Sequence, residues 1–370
     1  MNVLMFSLDS SPLRDKDSYF ACVLKELNKY WDNIIVIVPY PRYCRMPLNE
    51  RCKVVGFPKI LYPLLPLALI FKKVKIDFVI SQDPAFTGLP AYMLAKLKCI
   101  LWFCELHGTY LTETQECLTW KDLFLNKIGK FLIKRAHVIR VVNKKIYHSL
   151  KFLGIPEDRL LYIRSNYIHP DFISPSYFCK NSNNNELTLA FVGRLVKEKG
   201  VDLLLNILPY LKDKINFKLF VVGSGPDTSW FKREIRKLGL NYNVQFVGWL
   251  SRKELAELYS KVDFLLITSY HEGGPRVAYE AMACGTPIIS TDVGELSEFI
   301  ENGIDGIIIS SREPMIFVNT IIKLASDKEK LREMRKRAQK KVLKYCNWNA
   351  LIREYAETYK KLIKNVKGIA

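Results

Sequence analysis

Runs of β-branched and aliphatic residues recur along the chain at intervals that leave room for a helix between them. In the first half they are NVLMFSL from Asn2, IIVIV from Ile34, DFVIS from Asp77, CILWFC from Cys99 and HVIRVV from His137. Amphipathic segments such as Tyr19 to Tyr30 and Lys121 to Arg135 lie between them. Strands that are apolar throughout, alternating with helices, predict a parallel sheet covered on both faces. The stretch Ser174 to Glu186 (SPSYFCKNSNNNE) loses this periodicity and reads as an exposed loop near a domain boundary. A second alternating series then begins at Leu187 (LTLAFVG) and continues through Phe217, Val244, Val262, Pro287 and Gly306. The pattern predicts an α/β protein of two Rossmann-like, doubly wound domains, in which ligands bind beyond the carboxyl ends of the strands, facing a cleft. The expected boundaries are 1–170, 171–345 and 346–370, the last being an amphipathic helix from Trp348 to Val366 with Leu351, Tyr355, Tyr359 and Leu362 on one stripe.

Composition agrees with this and removes other classes. With 370 residues, 49% hydrophobic and 25% charged, the chain is too long for one core and too apolar for disorder. The longest apolar run, Ile60 to Phe71, is shorter than the roughly 20 residues that a membrane-spanning helix needs, and it contains prolines. Nine cysteines without a C-x-x-C pair, and an amino terminus that reads as a first strand rather than a cationic leader, predict a reduced, cytoplasmic setting. A formal charge of +19 narrows the partners to anions: nucleic acid, an anionic membrane surface or phosphorylated small molecules. Residues 1–170 hold 25 basic against 14 acidic side chains and residues 171–370 hold 31 against 23, so the charge is spread rather than carried by a tail.

The segment Val262 to Ser290 (VDFLLITSYHEGGPRVAYEAMACGTPIIS) is the most informative. A buried strand passes through a Gly273-Gly274-Pro275 loop into a short helix, with Pro275 expected in its first turn and Gly285 as its terminator. Such a turn leaves backbone N–H groups free to meet an anion. Tight packing alone would explain the glycines but not the carboxylates. Glu280 stands among Ala281, Met282 and Ala283, where a charge needs a hydrogen-bonding partner such as a diol, and Glu272 precedes it with seven residues between. A second constellation is LAFVGRLVKEKG, in which Gly193 and Arg194 end a strand and Lys199-Gly200 opens a helix. Arg offers a planar fork to phosphate and Lys a flexible point charge.

Together these segments resemble the GT-B retaining glycosyltransferases of family 4. FVGRLVKEKG, VVGSGP at Val221 to Pro226, FVGWLSRKELAELYSKVD at Phe246 to Asp263, the E-x7-E segment and ENGIDGIII from Glu301 follow in order across the second half. In the first half the likeness rests on WFCELHG at Trp102 to Gly108 and SNYIHPDF at Ser165 to Phe172. The resemblance implies a nucleotide-diphosphate sugar as donor substrate, no cofactor and no metal. Arg194 and Lys199 would hold the diphosphate; Gly193, Gly273, Gly274, Pro275 and Val277 would line it; Glu272 would accept from a sugar hydroxyl and Glu280 from the ribose diol. Gly223, Ser224, Trp249 and Leu250 match nucleotide-lining positions, and His107 matches a histidine that faces the donor sugar. The C-terminal helix is expected to pack back on the N-terminal domain, which would bind the acceptor, a glycan or a lipid-linked saccharide.

Three positions depart from the family pattern. The loop after the first strand reads SLDSSPLRDK in place of a Gly-Gly pair, Asn166-Tyr167 replaces Asn-Gly, and Gly294-Glu295 replaces Gly-Gly. Asp15-Lys16-Asp17 has the form of a metal-binding D-x-D triplet but falls in a polar loop of the wrong architecture. A nicotinamide enzyme would need a G-x-G-x-x-G turn after the first strand, which is missing. A basic nucleic-acid-binding protein would explain the charge but not the paired carboxylates, and no nucleic-acid partner is expected. A non-catalytic, glycosyltransferase-like partner subunit is the remaining alternative, disfavoured by the intact Arg194, Lys199, Glu272 and Glu280. The expected location is cytoplasmic and peripheral at the inner membrane face, with Lys72, Lys73 and Lys75 beside the Ile60 to Phe71 run docking on anionic lipid.

Overall fold

A computed structural model describes residues 1–66, 75–107, 120–173 and 186–367. The chain divides into two compact units, residues 1–165 with 349–370 and residues 166–348. The division falls between Ser165 and Asn166, so that Asn166 to Phe172 pack with the second unit.

The first unit holds an eight-stranded sheet of β1 (Asn2–Phe6), β2 (Asn33–Pro39), β3 (Cys44–Pro47), β4 (Cys52–Phe57), β5 (Phe78–Ser81), β6 (Leu101–Leu106), β7 (Val138–Val141) and β8 (Leu160–Tyr162). Its order is β3-β4-β2-β1-β5-β6-β7-β8, parallel throughout except for β3. The five strands read from the sequence are present, within about two residues of the expected starts. The added β3, β4 and β8 were not legible as strands: β4 alternates buried and half-buried residues at a sheet flank, and β8 has three residues. Among the described residues, α1 (Tyr19–Leu27), α2 (Gly88–Lys98), α3 (Trp120–Ile133) and α4 (Lys144–Phe152) accompany them. Ser18 and Asn143 cap α1 and α4, their side-chain oxygens accepting from the N–H groups of Ala21 and Ile146.

The second unit carries six parallel strands, β9 (Leu187–Val192), β10 (Phe217–Val222), β11 (Val244–Gly248), β12 (Phe264–Ile267), β13 (Ile288–Thr291) and β14 (Ile307–Ile309), in the order β11-β10-β9-β12-β13-β14. The helices are α5 (Val201–Lys212), α6 (Thr228–Lys237), α7 (Arg252–Lys261), α8 (Arg276–Ala283), α9 (Leu296–Phe299), α10 (Pro314–Ser326) and α11 (Lys328–Tyr345). Ser251 and Glu254 form a reciprocal capping box on α7, which the sequence SRKE encodes. Chain direction reverses its lateral progress between β9 and β12, and a doubly wound sheet opens a crevice at such a switch point.

A last helix, α12 (Trp348–Lys367), leaves the second unit and packs on the first. Its buried residues are Ile352, Tyr355, Ala356, Tyr359 and Ile363. Leu351 and Leu362, expected on the same stripe, are half-buried at its borders. Tyr359 stacks on Phe103 at 4.7 Å between ring centres, and both Tyr355 and Tyr359 contact Trp31. The loop predicted at Ser174 to Glu186 lies almost entirely outside the described residues, as do Lys72, Lys73 and the end of the Ile60 to Phe71 run. Among the described residues no helix is long and apolar enough to cross a membrane.

Candidate active site

The segments after β9 and β12 flank the switch point and are tied together by main-chain contacts. The Thr268 hydroxyl donates to the carbonyl of Lys199 at 3.0 Å, and the Tyr270 N–H donates to the carbonyl of Glu198 at 2.8 Å. Gly200 is in the left-handed region at φ +67°, and a Cβ there would lie 1.8 Å from the Thr268 carbonyl oxygen. No other residue type fits this junction without moving the backbone.

That closeness delivers Lys199 to Glu272. The ammonium makes a short ion pair with Glu272 Oε1, the same oxygen that accepts from the Ser269 hydroxyl at 2.9 Å. Both side chains are largely buried. Arg312 secures the end of the strand by donating to the carbonyls of Thr268 and Ser269, and its guanidinium lies 3.5 Å from the centre of the Tyr270 ring. Arg194 behaves differently: its side chain is 64% exposed and faces Glu198 at 3.9 Å, too solvated for that pair to hold it. A cation fixed by a carboxylate and a second one free to reach suit an anion that arrives from solvent.

The turn after β10 packs on the turn after β9. Gly223, at φ +110°, would place a Cβ 2.2 Å from the Gly193 carbonyl oxygen, so the two main chains touch. Ser224 accepts a hydrogen bond at 2.8 Å from the indole N–H of Trp249, whose ring is 71% exposed. An exposed indole anchored by its polar edge is a stacking platform for a planar ring. Leu250 beside it is half-buried.

Beyond Glu272 the Gly273-Gly274 turn is walled by residues that the motif reading did not include. A Cβ on Gly274 would stand 3.2 Å from both Asn166 Oδ1 and Glu295 Oε1, and Gly294, at φ +59°, abuts the Gly273 carbonyl. Glu295 is 4% exposed and accepts from the Tyr279 hydroxyl at 2.8 Å. The departures Asn166 and Gly294-Glu295 thus meet at one turn. Pro275 is the N-cap of α8 rather than a residue of its first turn, because its ψ of 98° is extended. Val277 packs against the core, and Gly285 follows the helix at φ +78°. Glu280 is half-buried on α8, and no described group donates to its carboxylate. Burial raises its pKa, opposed by the charges of Arg276 and then Arg252.

Of the expected site residues, all but His107 lie in the second unit. His107 follows β6, and its Nε2 stands 3.4 Å from the buried carboxylate of Glu105. His169 instead caps a short 3-10 turn, accepting from the Asp171 N–H, and packs on Trp348. His137 accepts from the Trp102 N–H at the opposite end of its sheet. Asp17 of the D-x-D triplet pairs with Lys25 on the surface.

Residues 177–341 match the family model described as glycosyl transferases group 1. Over 366 residues the chain is 28% identical to the N,N'-diacetylbacillosaminyl-diphospho-undecaprenol alpha-1,3-N-acetylgalactosaminyltransferase of Campylobacter jejuni, covering 93% of this chain and 95% of that one. The second unit thus carries the likeness to the group 1 glycosyl transferases. The chain's two parallel-sheet units have the GT-B fold, with a TM-score of 0.85 to sucrose-phosphate synthase from Thermosynechococcus elongatus at 18% identity, covering 99% and 100% of the two chains. An uncharacterised glycosyltransferase of Methanocaldococcus jannaschii is 30% identical over 177 residues, 48% of this chain and 45% of that protein, so this match spans about half the relative. The E-x7-E segment and the Arg194 and Lys199 loop flank the switch point of the matched unit.

Proposed function

We propose that the chain moves a sugar from a nucleotide-diphosphate sugar to a hydroxyl of a glycan or lipid-linked acceptor, with retained anomeric configuration and without a metal ion. The observation that carries this is the convergence of Lys199, Glu272 and the reaching Arg194 on one edge of a doubly wound sheet. The two cations meet the diphosphate and stabilise the charge that grows on it as the bond to C1 breaks, which is the task a metal would otherwise serve. The acceptor oxygen bonds C1 on the same face, its proton passes to a phosphate oxygen, and nucleoside diphosphate departs. Glu280 holds the ribose diol, Trp249 the base, and Glu272 with the Gly273-Gly274 N–H groups the sugar. His107 accepts from a donor-sugar hydroxyl.

The first unit binds the acceptor. A lipid-linked saccharide is favoured by the undecaprenol-linked substrate named for the Campylobacter relative, which is similar along nearly its whole length. The surface of the first unit fits this. Trp120, Leu123, Phe124 and Phe131 are exposed on α3 among Lys127, Lys130 and Lys134, and Ile60 and Leu64 are exposed nearby in sequence to Lys75. Apolar anchors among cations are suited to the surface of an anionic bilayer. The proposed location is therefore the cytoplasmic membrane face.

The deciding experiment incubates the purified chain with a panel of nucleotide sugars and polyprenyl-diphosphate saccharides, with and without chelator, and reads the new anomeric centre by NMR. Transfer with the donor's own configuration, undiminished by chelator, is expected. An inverted product or a chelator-abolished rate overturns the proposed chemistry. Flotation with anionic but not neutral vesicles checks the membrane surface.

A further inference from the structure

In the first unit two charged residues stand inside strands that are otherwise apolar. Glu105 on β6 and Arg140 on β7 are opposite one another in the sheet register and are 1% and 2% exposed. Arg140 Nη1 is 3.3 Å from Glu105 Oε1, its Nη2 donates to the Arg164 carbonyl at 3.1 Å, and its guanidinium stacks 4.5 Å from the centre of the Tyr355 ring. The hydroxyls of Tyr355 and Tyr359, both on α12, donate to the same Glu105 Oε1 at 2.7 Å each. Burial alone would raise the pKa of Glu105; the Arg140 guanidinium, then His107 and the Tyr359 hydroxyl, outweigh it and hold the group down at about 2. The carboxylate is therefore charged, with one oxygen saturated by three donors.

The other oxygen is left for His107. Oε2 faces His107 Nε2 at 3.4 Å, and that nitrogen is buried without another partner among the described residues, although the ring as a whole is 39% exposed. A lone pair on Nε2 would face the lone pairs of a carboxylate, which is repulsive; a proton there is attracted to it. The neutral ring is then unprotonated at Nδ1, where it can only accept a hydrogen bond.

We propose that Glu105, gripped by Arg140, Tyr355 and Tyr359, is a positioning residue that fixes the orientation and tautomer of His107, so that α12 governs the state of a side chain assigned to the donor sugar. This rests on the reading of His107 given under Proposed function, and the test separates the two. Two hydroxyls converging from residues some 250 positions away in sequence would be superfluous for neutralising Arg140. They orient the carboxylate so that Oε2, not Oε1, addresses the imidazole.

The experiment labels histidine with 15N and records the ring nitrogens of His107 in the full chain, in Glu105→Gln and in Tyr355→Phe/Tyr359→Phe, alongside kcat and the donor KM. The parent is expected to show the Nε2–H tautomer. Glu105→Gln, whose amide can donate as well as accept, should give a mixture of tautomers and lose about tenfold in kcat with little change in KM, the mark of an interaction used in the transition state. The double Phe variant keeps the ring packing and should move both readouts the same way by a smaller factor; it carries the test if Glu105→Gln does not fold. Unchanged ring signals in a folded variant overturn the proposal whatever the activity does. Altered signals with normal kcat overturn the assignment of His107 to the donor and leave the grip on its ring standing.

Discussion

Replacing Glu280 by Gln should separate affinity from stability, because the two move in opposite directions. The side chain is half-buried on α8 with no described donor to its carboxylate, and burial raises its pKa above the ordinary 4.5. A carboxyl whose folded pKa lies above its unfolded value stabilises the fold when protonated, below pH 4.5, and this contribution is lost as pH rises through the folded value. At neutral pH the charge is thus an unfavourable element of the empty protein, and a neutral amide of the same shape removes it. The expected thermal midpoint is unchanged or raised. Donor binding responds the other way. A hydrogen bond to a charged acceptor contributes roughly 1.5–3 kcal/mol and one to a neutral acceptor roughly 0.5–1.5, so the exchange loses about 1–2 kcal/mol. That corresponds to about 5- to 30-fold in donor affinity. Titration calorimetry with the nucleotide sugar, paired with a melting curve of the empty protein, reads both quantities on one sample. A melting point lowered by several degrees with donor affinity intact would show that Glu280 serves the fold and that the diol assignment is wrong.

Other outcomes follow from neighbouring features. Gly200→Ala should lose about 2–5 kcal/mol by denaturant unfolding, from the left-handed φ and the collision with the Thr268 carbonyl. Gly303→Ala, at φ +83° with open space around it, should lose only about 1–2 kcal/mol; equal losses would refute the collision. Trp249→Ala should weaken nucleotide binding about tenfold and remove most nucleotide-induced fluorescence quenching, leaving the melting point within a degree or so. For Glu105 the folded pKa of about 2 lies below the ordinary 4.5, so its contribution is present above pH 4.5 and is lost as pH falls from there towards 2. Acid unfolding of Glu105→Gln should lack that component, and superimposable acid profiles would refute it.

The strands at the switch point of the second unit and in the middle of the first sheet were legible because strands covered on both faces are apolar at nearly every position, as FLLI in β12 and FVIS in β5 show. Lys199, Glu272 and Glu280 were legible because each is local to a glycine turn. Arg312 was not, since it reaches the end of β12 from 43 positions along the chain with no local signature, and Asn166 and Glu295, visible only as departures from the family pattern, gave no sign that they meet at Gly274. Glu105 and Arg140 did leave a signal: each is a lone charge in an apolar strand, WFCELHG and HVIRVV, where a charge must be paired. Their opposed register, and the two tyrosines that complete the cluster, became visible only with the sheet and α12 in place.

The seating of α12 also sets an order of assembly. Residues 166–348 form a unit from one uninterrupted stretch, whereas the unit begun at Met1 needs residues 349–367 to cover Trp31, Phe103 and the Glu105–Arg140 pair. On the ribosome the half of the molecule that is made first is therefore finished last. Until α12 emerges, its aromatic groove and buried charges remain open to water, and a nascent chain stalled beyond residue 348 presents a complete second unit beside an unfinished first one.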